Sequence, residues 1–358
     1  MLFMTSSSKA RRPLMPTGEG QCICGRFAVV TESAALAAAS WLGRGDGLAA
    51  DAAAREAMAT ELAQLPLRGR VVAGRGSEGP VCRALCVNDE VGVGSGPWSS
   101  SPTDAGGSPA DPDIWDLVLD PLQALESLAH GTEGALTTLA AGPKGSLMGV
   151  PEMYMQKLVV PGKAAGVLDL DAPVEKNIKA LAGALDRDPT ELVVVVLDRP
   201  RHEELVAQIR HSGARVRLIR DGDVSAGLAV ASADAGVDMY IGIGGSTEGI
   251  LTAAALRCLG GEIQARFWPV SRHQVEQARS AGIEDIEARL TTRDMAGDGV
   301  MMVATAVTGG RFLKAVDFCS DGIRTETLVL CSACHAVRKI LTTHRSDNEG
   351  PRVSLGAR

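Results

Sequence analysis

From residue 190 onward the chain alternates strand and helix signals so regularly that few architectures can hold it. "ELVVVVLD" is an unbroken apolar run of strand length, and "RHEELVAQIRHSG" carries apolar residues at helical spacing and stops at Gly213. "RVRLIRDGD" is strand-like again, with an acidic turn at its end. "VSAGLAVASA" then reads as a helix, "DMYIGIGG" as a strand entering a glycine turn, and "TEGILTAAALRCLGG" as a helix. A strand that is apolar at every position must be covered on both faces. This predicts an α/β layer arrangement with functional loops at the strand ends. Strands return in "GVMMVATAVTGG" and "TETLVLC", and the last dozen residues read as a frayed tail.

The first half carries the same signals less regularly. Thr31–Trp41, "TESAALAAASW", predicts an alanine-rich helix ended by Gly43 and Gly45, and "DAAAREAMATELAQL" a second helix from near Asp51. "GRVVAG" and "IWDLVLD" predict strands, and the Gly-, Ser- and Pro-rich stretch 94–112 an exposed insertion loop. Aromatic residues make up only 3% of the 358 positions, so Ala, Val, Leu, Ile and Met must build the core. The net charge of −7 argues against nucleic acid or an anionic membrane as partner. No apolar run approaches the roughly 20 residues that span a bilayer.

Residues 1–26 are Ser-rich, with Lys9, Arg11 and Arg12 and no acid before Glu19. Such a leader fits an organelle transit peptide bound for a plastid, and equally a disordered tail on a cytoplasmic protein. It is expected to pack against nothing as far as residue 25 or so. Cysteines 22, 24, 82, 86, 258, 319, 331 and 334 are scattered, which predicts no disulfide framework. Cys331-Ser-Ala-Cys334-His335 has haem-attachment spacing, but the strand-like and basic sequence around it predicts an ordinary turn with no haem and no redox role. With Cys22 and Cys24 in the leader, no thiolate metal site is expected.

"DLVLDPLQALESL", residues 116–128, is an apolar strand ending in Asp-Pro, the opening of a magnesium-phosphatase motif. With "VTESAALAAASWLGRGD", "PEMYMQKL", "DRPRH", "RDGDVSA", "YIGIGGSTEG" and "TETLVL" in this order, residues 27–345 resemble the class II fructose-1,6-bisphosphatases. That group includes dual fructose-1,6-/sedoheptulose-1,7-bisphosphatases. The resemblance implies the layered αβαβα fold of the lithium-sensitive sugar phosphatases, with a lobe boundary near 160–190. It also implies hydrolysis of a sugar bisphosphate with Mg²⁺ or Mn²⁺ held by carboxylates.

Asp51, Asp120 and Glu248 match the family's metal-binding and catalytic carboxylates. Elsewhere the set is degraded. Gln123 stands in place of a Glu, Ala124 of a Gly, Leu125 of a Thr, and Gly47 of a Lys. Arg75 falls on a ligand position, unless a one-residue shift brings Glu78 there instead. Five acidic ligands have thus become three acids, an amide and a guanidinium. The sugar-phosphate side is fuller: Tyr154, Arg199, Arg201, Asp221, Asp223, Gly244 and Gly245 all match. The chain is therefore expected to be a bisphosphatase homologue with weak or no turnover, and to bind Mg²⁺ or Mn²⁺ or no cation at all. The alternative is a non-catalytic sugar-phosphate-binding or structural subunit. The resemblance further implies a homo-oligomer or membership of a larger complex.

Overall fold

The computed structural model describes residues 22–76, 82, 84–92, 114–232, 235–310 and 312–345. The expected insertion loop, the tail from 346, Glu78 and the leader as far as residue 21 lie outside the described residues.

Two helices open the chain: α1 (Phe27–Ala39), led in by a 3₁₀ turn Ile23–Arg26, and α2 (Gly47–Leu62). Each starts earlier than its sequence signal. Asp46 supplies the cap of α2 by accepting the Ala49 N–H at 2.9 Å, which puts Asp51 inside the helix. The expectation of an unpacked start is corrected at its last residues. Ile23 and Cys24 are 2% and 1% exposed, in the same core as Phe27.

The strands then run in three groups. β1 (Arg68–Gly74), β2 (Glu90–Val91), β3 (Ile114–Gln123) and β4 (Leu136–Pro143) begin one sheet, with the short α3 (Leu125–Ala129) after β3. The next group is a second sheet: β5 (Tyr154–Val160), β6 (Val193–Leu197), β7 (Arg215–Ile219), β8 (Met239–Gly245), β9 (Glu262–Trp268) and β10 (Leu290–Thr291). Among these lie α4 (Val174–Leu185), α5 (Glu203–His211), α6 (Asp223–Ala231), α7 (Ser246–Leu259) and α8 (Arg272–Ser280), and after β10 comes α9 (Thr292–Met295). β11 (Met301–Ala306), β12 (Asp317–Cys319), β13 (Gly322–Cys331) and β14 (Ala336–His344) return to the first sheet.

The first sheet is ordered β12-β13-β11-β4-β3-β1-β2, with β14 also on β13, and the second β10-β9-β5-β8-β6-β7. Both are mixed: β1–β3, β6–β7 and β6–β8 are parallel and the remaining pairs antiparallel. The chain passes to the second sheet between Pro143 and Tyr154, ahead of the expected 160–190 boundary, because the apolar "MQKLVV" already pairs with β8 and β9.

Three apolar cores separate five layers. One joins α1 and α2 to the first sheet, one fills the space around α6 and α7 between the sheets, and one joins the second sheet to α4 and α5. This is the αβαβα order. The sheets bury Ala, Val, Leu, Ile and Met at nearly every inward position, as the aromatic-poor composition requires.

Candidate active site

The site begins where β3 turns into α3. Asp120 is fully buried opposite Thr138 of β4, and the register of the β3–β4 pair then shifts before Gln123. Among the described residues, neither carboxylate oxygen of Asp120 and neither amide atom of Gln123 has a hydrogen-bond partner. Buried polar groups are paired as a rule, so four orphaned atoms in one place mark a site shaped for something other than packing. Burial drives the Asp120 carboxyl well above the usual range, although Arg75 pulls it the other way.

Ala124 follows in the left-handed conformation, φ 61° and ψ 53°, which explains why the resemblance puts Gly there. Ala124→Gly is therefore expected to stabilise the protein by about 1 kcal/mol, read from the urea midpoint. No change, or a loss, would contradict the strain. Leu125 then packs on the first residue of α2, and a side chain on Gly47 would meet its Cβ at 3.0 Å.

Arg75 extends β1, its N–H donating to the Leu119 carbonyl at 3.1 Å. Burial alone would lower its pKa, but the fields of Asp120, Glu248, Asp221 and Asp51 together raise it. Arg75 Nη1 donates to the Leu122 carbonyl at 3.5 Å, so a permanent cation lies beside the Asp120–Gln123 turn, within electrostatic reach of the three sequence-predicted acids and Asp221. Arg55 was not foreseen. It lies one turn along α2 from Asp51, 3.4 Å from that carboxylate, and donates to the Arg75 carbonyl at 2.6 Å. A lone Arg in "DAAAREAM" was the available signal.

Glu248 lies in the first turn of α7, and burial followed by the field of Asp223 pushes its carboxyl up to about 7. Gly245 is bare because a Cβ there would run into the Glu248 carboxylate. Gly244 is bare because its Cβ would run into Asp223 and reach Lys157 Nζ at 3.0 Å. Asp223 differs from expectation. It is 5% exposed and paired with the fully buried Lys157 at 2.5 Å, and the ammonium also donates to the Gly245 carbonyl at 2.7 Å. Asp221 faces Arg75, and its carboxyl is raised by burial.

At the rim, Arg201 stacks 4.9 Å above the ring of half-exposed Tyr154 and donates to the Ile243 carbonyl at 2.8 Å. Arg199 donates to the neighbouring Asp198 carbonyl at 3.0 Å. His202, also unforeseen, fixes this rim. Its Nδ1–H donates to the Leu197 carbonyl and its Nε2 accepts the Ile243 N–H, both at 2.8 Å. That pattern needs neutral imidazole, in keeping with a pKa lowered by burial.

Two stacked mixed sheets between helical layers, with acids converging where β3 and β8 enter helices, define a sugar phosphatase of the layered α/β class. Residues 22–344 match the family described as bacterial fructose-1,6-bisphosphatase, glpX-encoded, and the chain belongs to that family. It is 40% identical over 340 residues to a D-fructose 1,6-bisphosphatase class 2/sedoheptulose 1,7-bisphosphatase of Synechococcus sp. (strain JA-3-3Ab), covering 90% of this chain and 95% of that protein. The same description is carried by a Synechocystis sp. (strain ATCC 27184 / PCC 6803 / Kazusa) protein, 36% identical over 90% of this chain and 96% of its own.

The family depends on divalent metal. The orphaned oxygens of Asp120 and Gln123 suit a hard cation, but the guanidinium amid the four carboxylates does not. Among the described residues, a cation held by Asp51, Asp120, Gln123 and Glu248 would have the Arg75 charge against it.

Proposed function

We propose that this bisphosphatase homologue binds fructose 1,6-bisphosphate or sedoheptulose 1,7-bisphosphate and hydrolyses it weakly or not at all. The guanidinium of Arg75, which donates to the carbonyl of Leu122 between the orphaned Asp120 and Gln123, carries the reading. A guanidinium can pair with carboxylates that would otherwise ligate a cation, and it never gives up its proton. Without the cation the attacking water loses its main activator, and Leu125 cannot orient it. Phosphate recognition asks for less. The cationic rim of Arg199 and Arg201, braced by Tyr154 and His202, can hold a phosphate with no metal present.

Calorimetry on chelator-treated protein tests the reading. Fructose 1,6-bisphosphate is expected to bind, and Arg201→Gln to weaken it roughly 10- to 100-fold, the worth of one charged hydrogen bond. Phosphate release with Mg²⁺ or Mn²⁺ should stay far below that of an intact relative. Brisk release would sink the proposal.

A structural role within an oligomer is the second reading. It is favoured by Phe318, Val337 and Leu341, apolar side chains 58–67% exposed on β12 and β14. As for location, the composition of residues 1–21 supports a plastid, with the cytoplasm as the alternative.

A further inference from the structure

Three strands away from β3 across the first sheet, four thiols meet that the sequence keeps far apart. Cys22 and Cys24 flank the start of the 3₁₀ turn before α1, while Cys331 ends β13 and Cys334 lies in the turn to β14. Cys22 Sγ is 3.6 Å from Cys331 Sγ, and Cys24 Sγ is 3.8 Å from Cys334 Sγ. All four sulfurs lie within 4.8 Å of one another. The sequence predicts no thiolate metal site, but the fold brings Cys22 and Cys24 together with Cys331 and Cys334.

We propose that Cys22, Cys24, Cys331 and Cys334 form a structural zinc site that clasps the 3₁₀ turn before α1 to the β13–β14 hairpin. Zn²⁺ binds thiolate sulfur at about 2.3 Å, so the corners of a regular ZnS₄ tetrahedron are about 3.8 Å apart. Both distances match that edge and are far from the roughly 2.05 Å of a disulfide.

The surroundings suit the charge. Four thiolates around Zn²⁺ leave two negative charges, and Arg338 Nη1 lies 3.2 Å from Cys24 Sγ and 3.9 Å from Cys334 Sγ. Cys24 and Cys331 are each 1% exposed and Cys22 and Cys334 partly exposed, so an ion can enter from the surface. Four protein ligands leave no open position, the mark of a structural rather than catalytic zinc. Binding displaces the thiol protons to solvent and involves no redox step. His335, which completes the haem-like pattern, has no part in the cluster. It turns the chain with φ 54°.

The test is the metal content of the full chain purified without chelator or added metal. One zinc per chain is expected, and replacement by Co²⁺ should give sulfur-to-cobalt charge-transfer bands with the strong visible bands of a tetrahedral centre. Cys24→Ser and Cys334→Ser should each lose the zinc, while Cys258→Ser, outside the cluster, should keep it. If the serine variants fail to fold, the cobalt spectrum of the unaltered chain decides. Iron in place of zinc would overturn the proposal. So would a thiol-reduced protein that takes up neither metal, or mass mapping of Cys22–Cys331 and Cys24–Cys334 disulfides in freshly isolated material.

Discussion

The combined variant Arg75→Glu/Gln123→Glu/Ala124→Gly/Leu125→Thr is expected to release phosphate from fructose 1,6-bisphosphate about 10²–10³-fold faster than the natural chain, and only with Mg²⁺ or Mn²⁺. Arg75→Glu removes the cation that four carboxylates now share and adds a fifth acid. Gln123→Glu turns a neutral buried amide into a charged ligand beside Asp120. Ala124→Gly relaxes the left-handed turn, and Leu125→Thr returns a hydroxyl to the first position of α3. Single changes should do little, because groups that act as one unit fail together. Arg75→Glu alone should melt earlier in chelator and recover with Mg²⁺, as mass action on a cation-binding folded state requires. A combined variant that folds, binds Mg²⁺ and still releases no phosphate would show that the defect lies elsewhere.

Lys157→Met should cost about 3–5 kcal/mol of stability, the usual result of leaving one member of a buried ion pair alone. Lys157 is 1% exposed and Asp223 5%, so water cannot take the place of the lost ammonium. The Gly245 carbonyl loses its donor as well. Lys157→Met/Asp223→Asn should recover part of the loss, since no charge is then stranded. Urea midpoints at constant slope provide the measurement. A single variant within 1 kcal/mol of the natural chain would mean that the pair is solvated.

What could be read from the sequence follows burial. β6 and β8 announced themselves because "VVVVL" and "MYIGIGG" lack charged residues and are largely buried, and the half-exposed edge strand β7 because "RVRLI" places Arg at alternate positions, the strand period. β14 did not, because "AVRKILTTH" sets apolar and polar residues two by two along a largely exposed strand and reads as a basic segment. Arg75, Gln123 and Leu125 stood out against a motif of fixed spacing. Lys157–Asp223 did not, since sequence carries no sign that positions 66 apart will meet. The four thiols were hidden for the same reason. Their partners lie about 310 residues away, and the composition of the leader drew Cys22 and Cys24 to the wrong side of the domain boundary.

α1 rests on β11 and β13, which come from the far end of the chain. A ribosome therefore delivers this helix long before its platform. At about 5–20 residues per second, the roughly 260 residues between Ala39 and Met301 take on the order of 10–50 s to synthesise. Throughout that interval Phe27, Val30, Ala34 and Ala38, each fully buried in the finished protein, have only α2, β3 and β4 to cover them and lack the β11–β13 part of their platform. The second sheet, contiguous between residues 154 and 291, can assemble meanwhile. The first cannot close around β4 until β11 arrives. Nascent chains halted before residue 301 should consequently engage holdase chaperones through the α1 segment, and chains that have passed residue 331 should let them go.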